Sequence, residues 1–306
     1  MKITSILILF TFLISCTDSN NPSPKSKAVQ TKIIPFQLPD LPTQMTFAGK
    51  KILLEDEDIK ERLDREILTN VYLQSATSQI IKRANRWFPV IEEILKKNNI
   101  PDDFKYLAVI ESALLEQAVS PVGAQGFWQF MPYTAKEYNL EISPEIDERL
   151  DVIKSTYAAC SYLKQANSEF NDWLLAAASY NRGMGGVHAD LEWQKAQSYF
   201  DMEQNHETGR YVYRILALKL ILENQLAYGF SIPTSQQYPL IKTQKHLITK
   251  SIPNLSEWAI SKGYNYKILK KLNPWILKTH LTIKNKKYTL LLPDSKEKLR
   301  PYAYYH

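Results

Sequence analysis

Residues 100–112 read IPDDFKYLAVIES, and they set one acid, Glu111, at the end of an apolar run. Pro101, Asp102 and Asp103 suit a helix start: proline lacks an N–H that the first turn would leave unused, and acids complement the positive end of the helix dipole. Phe104, Leu107 and Ala108 then stand at i, i+3 and i+4 of a helical period, and Glu111 falls at i+7 on the same stripe. Tyr106, Val109 and Ile110 make the opposite face apolar as well, so the spacing predicts a helix enclosed on both sides. A carboxylate so placed is either paired with a cation or kept partly protonated by desolvation, because burying a lone ionised carboxylate is costly. The second state is what a general acid needs near neutral pH. A structural carboxylate bonded to backbone amides or to an arginine is the other reading that these residues leave open.

The flanking sequence repeats apolar residues every three or four positions from Leu53 to about Phe230. LEDEDIKERLDREILTN (54–70), SATSQIIKRANRWFPVIEEILKKNN (75–99), SPEIDERLDVIKSTYAACSYLKQANSEF (143–170) and ETGRYVYRILALKLILENQ (207–225) all follow this rule, with Pro, Gly or Asn between them. The expectation is an all-α domain whose folded part begins near Met45. Within it, SPVGAQGFWQFMP (120–132) combines Gly123 and Gly126 with Phe127, Trp128, Gln129 and Met131, which offer stacking surface and an amide. Sugar rings, with apolar faces and hydroxyl edges, call for those materials; a tight turn with core aromatics would use them too. WLLAAASYNRGMGG (173–186) predicts an apolar helix over Trp173 to Ala178 that opens into Ser179, Tyr180 and Asn181. Those polar tips either converge on a pocket or cap the helix.

The chain has 306 residues with 44 % apolar and 23 % charged residues, an ordinary globular composition. Its net charge of +6 is unevenly spread. Residues 238–306 carry 14 Lys/Arg against 3 Asp/Glu, and residues 1–237 carry 24 against 29. A basic face could meet nucleic acid, anionic lipid or an acidic polymer. At the N-terminus, MKITSILILFTFLISC places an apolar run after one lysine, short for a bilayer span, and reads as an export signal over residues 1–16. Its end, Leu13-Ile14-Ser15-Cys16, resembles a bacterial lipobox, in which Cys16 would be acylated. Residues 17–44, rich in Ser, Asn, Pro and Lys, read as a flexible tether. Cys160 is then left without an intramolecular partner, and the five histidines show no ligand spacing, so no metal and no cofactor are expected. Export, with no nucleic-acid motif present, argues against a nucleic-acid partner.

Taken together, AVIES, GAQGFWQFMP and AAASYNRG resemble, in order and spacing, the three signature motifs of the soluble-lytic-transglycosylase domain, a lysozyme-like fold of glycoside hydrolase family 23. LDREILTN, IPDDFKYLAVIES, DERLDVIKSTYAACSYLK and ETGRYVYRILALKLI give a closer likeness to the membrane-bound lytic murein transglycosylase D type. The resemblance covers roughly residues 45 to 230 and places a catalytic domain over residues 45–232. It implies cleavage of the β-1,4 bond between N-acetylmuramic acid and N-acetylglucosamine in peptidoglycan, with 1,6-anhydro ends formed by Glu111 acting as acid and then base. It implies Ser120, Gln129, Met131, Tyr180, Asn181 and Tyr211 as substrate-contacting residues. It also implies a bacterial lipoprotein at the periplasmic face of the outer membrane, with peptidoglycan glycan strands as partner and the membrane reached through a lipid anchor. A hydrolytic muramidase, or a wall-binding lipoprotein without turnover, is the alternative. The usual glycosidase arrangement uses two carboxylates, and no second acid here sits in an obvious motif.

Residues 238–306 have a different pattern. YPLIKTQKHLITKSI and KKYTLLLP read as strands, and Leu255 to Lys262 and Tyr266 to Leu272 as short helices between them. This β-α-α-β order is similar to a LysM peptidoglycan-binding module, though the family's opening Gly-Asp-Thr-Leu type turn is absent. Trp258, Tyr264, Asn273 and Trp275 are the candidates for sugar contact. The expected architecture is therefore mainly α, with a small α+β module at the C-terminus.

Overall fold

The computed structural model describes residues 39–294. The export signal, Cys16 and the last residues of the basic segment lie outside the described residues, as does most of the expected tether.

Among the described residues, regular structure begins with a hairpin that helical periodicity did not predict. β1 (Met45–Phe47) pairs antiparallel with β2 (Lys50–Ile52). Ala48 and Gly49 turn between them with φ of 50° and 81°, the left-handed pair that suits a two-residue hairpin. Phe47 and Ile52 are fully buried, which ties this edge to the helical core.

α1 (Glu57–Tyr72) starts at Asp56, whose carboxylate accepts from the amides of Asp58 and Ile59. α2 (Gln74–Lys97) follows and continues through Pro89. α3 (Lys105–Ser112) carries Glu111 in its last turn and packs against α2 and against α8 (Thr208–Glu223). α4 (Pro132–Glu137) opens on a proline. α5 (Val152–Phe170) and α6 (Trp173–Arg182) are capped by Asp151 and Asp172, each accepting from two backbone amides. α7 (Met184–Gln194) then leads round to α8. α8 is buried along most of its length from Tyr211 to Leu222 and is the central rod: α1, α3 and α6 all lie against it. A helix apolar nearly all round can be stable only in such a place.

The C-terminal module is built in the expected order. β3 (Thr243–Ile248) and β4 (Tyr288–Pro293) pair antiparallel, from Thr243 with Pro293 to Ile248 with Tyr288. α9 (Leu255–Ser261) and α10 (Tyr266–Leu272) pack beneath them. Three of the four residues read as sugar contacts turn out to be core. Tyr264 is buried, with its hydroxyl donating to the Pro293 carbonyl at 2.8 Å. Asn273 is fully buried, bonding the backbone of Leu269 and Leu291. Trp275 is buried beside Tyr288 and lies 5.6 Å beneath the ammonium of Lys154. Trp258 alone stays half-buried, with Lys262 over its ring.

The module is not an appended bead. Ile146 and Leu150, from the helical part, belong to its apolar core. Glu141 accepts from the hydroxyl of Tyr288 at 3.0 Å and from Lys286 at 2.5 Å. Among the described residues no helix is long and apolar enough to cross a membrane.

Candidate active site

The last turn of α3 ends abruptly. Ala113 and Leu114 both adopt left-handed backbone, with φ of 51° and 57°, which stops the helix directly after Glu111 and Ser112. Non-glycine residues rarely sit there, and two in succession at a helix end mark a site where surrounding structure enforces the conformation. Glu116 consequently lies beyond the helix.

Glu111 meets α8. The phenolic hydroxyl of Tyr211 donates to Oε1 of Glu111, and Oε2 has no hydrogen-bond partner among the described residues. Burial pushes the Glu111 carboxyl up to about 7, against the opposing pull of the Tyr211 hydrogen bond and of the positive charge on Arg214. Arg214 does not lock the acid: its guanidinium donates to the Ile110 carbonyl at 3.4 Å, and Glu111 has no ion pair among the described residues. Of the two states that the sequence leaves open, the ion pair is absent among the described residues, and Glu111 itself is half-buried.

Tyr180, in the last helical turn of α6, completes the cluster. Its hydroxyl donates to the Trp128 carbonyl at 2.9 Å, and its ring packs on Phe130 and Tyr162. Burial, and next the charge of Glu111, raise the Tyr180 hydroxyl well above its usual value; the same two causes raise Tyr211. Both tyrosines therefore remain donors throughout the neutral range. The α6 helix extends through Arg182, so Ser179, Tyr180 and Asn181 are helical rather than the mouth of a loop.

The other expected site residues divide by role. Ser120 closes a turn, its hydroxyl accepting from the Ala124 amide at 2.9 Å. Gln129, at φ 46°, commits its amide nitrogen to the carbonyls of Gly126 and Ala118 at 2.8 and 3.1 Å. Both hold the glycine loop in shape. Met131 is exposed just ahead of α4, and Asn181 is exposed, with Oδ1 accepting from Thr208 on α8 at 3.1 Å. Phe127 and Trp128, read as stacking surface, are buried instead; the Trp128 indole donates to Thr156 at 2.9 Å. An apolar face offered to a sugar must be exposed, and these two serve the core. The exposed apolar side chains here are Val119, Val122 and Met131 of the loop and Tyr133 in the first turn of α4.

Two contributors were missed. Arg214 stands three positions after Tyr211 on α8, so the helical period puts it on the same face, a signal that the sequence does carry. Arg149 had no such signal: it reaches the glycine loop from a separate segment. Outside this cluster, an apolar recess lined by Trp87, Phe127, Leu150, Leu240, Pro274 and Trp275 lies between the helical part and the C-terminal module. A groove lined by Arg83, Arg86, Trp87, Leu114, Leu115 and Glu116 follows the chain out of α3.

Comparison with known proteins gives the same pattern a family. Residues 88–203 match the Transglycosylase SLT domain, and residues 244–296 match the soluble lytic transglycosylase C-terminal LysM-like domain. The chain is 30 % identical over 251 residues to the membrane-bound lytic murein transglycosylase D of Escherichia coli strain K12, and equally to that of strain O6:H1, covering 80 % of this chain and 54 % of each relative. It thus spans about half the length of these curated relatives. Among solved structures, the 70 kDa soluble lytic transglycosylase of Escherichia coli aligns with a TM-score of 0.40 at 24 % identity, over 49 % of this chain and 26 % of that one. The chain accordingly carries an SLT domain followed by a LysM-like C-terminal domain.

Proposed function

We propose that this protein is a peptidoglycan lytic transglycosylase in which Glu111 supplies both proton transfers. The observation that carries this reading is the Glu111 carboxyl: its pKa raised by burial to about 7, bonded through one oxygen to Tyr211, and with the other oxygen without a hydrogen-bond partner among the described residues. In the first step the protonated acid donates to the glycosidic oxygen between N-acetylmuramic acid and N-acetylglucosamine, and the C–O bond breaks. In the second, the resulting carboxylate takes the proton of the muramic acid 6-hydroxyl as that oxygen closes on the anomeric carbon. The product is a 1,6-anhydro ring, the acid is restored, and no water is consumed. An acid poised near the working pH serves both directions of transfer. Tyr211 and Arg214 stabilise the carboxylate between the steps.

Met131, Asn181 and the exposed side chains of the glycine loop are read as glycan contacts, and Ser120 and Gln129 as the residues that shape that loop. The lipobox-like Leu13-Ile14-Ser15-Cys16 supports an acylated Cys16, and with it a lipoprotein of the cell envelope. The membrane-bound name of the relatives favours the same reading.

Digestion of purified sacculi followed by mass spectrometry tests the reaction. Transglycosylation gives anhydromuropeptides; hydrolysis gives reducing muramic acid ends, heavier by one water, and finding only these would refute the proposal.

A further inference from the structure

The glycine loop is held from behind by one buried side chain. Nη1 of Arg149 donates to the carbonyl of Gly123 at 2.8 Å and to that of Phe130 at 3.0 Å, so a single guanidinium pins both ends of the loop. Asp147 holds the opposite edge of the same guanidinium, with Nε to Oδ1 at 2.9 Å and Nη2 to Oδ2 at 2.6 Å. Both residues are 4 % exposed. The backbones are pressed together as well: a Cβ on Gly126 would stand 2.0 Å from the Arg149 carbonyl oxygen. The pinned loop presents the Trp128 carbonyl that receives the Tyr180 hydroxyl beside Glu111.

The segment bearing this pair is gripped from its far side by the C-terminal module. The Asp147 amide donates to the Trp275 carbonyl at 2.9 Å, the Leu277 amide donates to the Glu145 carbonyl at 2.8 Å, and Ile146 pairs with Ile276 as an isolated bridge. Ile146 is itself part of the module's core. A buried ion pair contributes little net stability compared with apolar residues of the same volume. What this pair does supply is a fixed donor group, Nη1, aimed at two carbonyls seven positions apart in one loop.

We propose that Arg149 is a positioning residue: clasped by Asp147, it sets the conformation of the 123–130 loop, and the C-terminal module is a structural part of that clasp through Trp275 and Ile276. Its consequence for turnover rests on the glycan-cleaving reading above; the clasp itself does not.

The test uses the full chain and three variants. Arg149→Lys keeps the charge pair, but its single nitrogen cannot hold both Asp147 oxygens and reach both carbonyls at once. The double variant Asp147→Leu/Arg149→Met removes both charges together and so avoids leaving one buried alone. Ile276→Ala loosens the module where it meets Ile146. Hydrogen exchange followed over residues 118–131 is expected to quicken by about tenfold or more in all three, while α6 stays protected. In Arg149→Lys and the double variant, KM for solubilised glycan strands is expected to rise roughly fivefold or more, with the alkaline limb of the pH profile in place, because the surroundings of Glu111 are kept. Wild-type loop exchange and KM in the double variant would show that the pair only fills space and would overturn the proposal. Unchanged exchange in Ile276→Ala would remove the module from it. An inactive wild type would count against the proposed reaction, and the exchange measurements would still decide the clasp.

Discussion

Tyr211 on α8 donates its phenolic hydrogen to Oε1 of Glu111 on α3, across 100 positions of sequence. That bond favours the ionised carboxylate, while burial favours the acid, and burial is the larger effect. Tyr211→Phe removes only the donor, so the acid is held more firmly protonated. If Glu111 must be protonated to act, the alkaline limb of the pH–rate profile moves to higher pH, and turnover falls by roughly tenfold because the carboxyl loses its orienting partner. A profile recorded on sacculi for both proteins checks the direction.

The same acid links stability to pH. Its native value of about 7 lies above the ordinary 4.5, so below the lower value both native and unfolded chains hold the proton and nothing is lost. Between the two the unfolded chain releases its proton first, and native stability falls by up to about 3 kcal/mol by the time pH exceeds the native value. Glutamine stays neutral at every pH. Glu111→Gln should therefore be more stable than wild type by about 3 kcal/mol near pH 8 and nearly equal to it near pH 4. Urea unfolding at the two pH values reads the difference.

Gly126 occupies a position that no side chain can share, with φ of +78° and the Arg149 carbonyl directly behind it. Gly126→Ala must move either the loop or the 147–150 segment. A loss of about 3 kcal/mol or more is expected, together with a fall in activity. A thermal melt with wild-type midpoint would contradict the close approach.

Trp128 anchors the other end of the loop by donating its indole N–H to Thr156 inside the core. Thr156→Val keeps the volume and leaves that donor unsatisfied, at a cost of about 1–3 kcal/mol. The effect on KM should be small, since neither residue faces a ligand. A large rise in KM without loss of stability would return Trp128 to the role of a stacking surface.

Helical repetition made most of the fold legible, and the apolar run through Phe104, Leu107 and Ala108 placed Glu111 where the structure has it. The β-α-α-β order of the C-terminal module was legible too, because its strands and short helices are separated by turn residues. The hairpin at Ala48 and Gly49 was not, since two three-residue strands carry no periodic signal. Aromatic side chains were the main source of error. Sequence cannot tell a ring that faces solvent from one that fills the core, so Trp128, Tyr264 and Trp275 were read as contacts and are packing. Ser120 and Gln129 fall between the two, being in the expected loop but with their polar atoms turned to its own backbone. The clasp of Asp147 and Arg149 was invisible because its partners, Gly123, Phe130 and Trp275, come from two other parts of the chain, and all three links end on backbone carbonyls that no residue type reveals.

The most direct measurement compares Glu111→Gln with wild type on purified sacculi, scoring released anhydromuropeptides by mass spectrometry, with hydrogen exchange to show that both are folded. A folded variant that releases none is the expected result. Release at the wild-type rate from that variant would mean that the proton comes from elsewhere, and Glu111 would be only a half-buried acid in a helical scaffold.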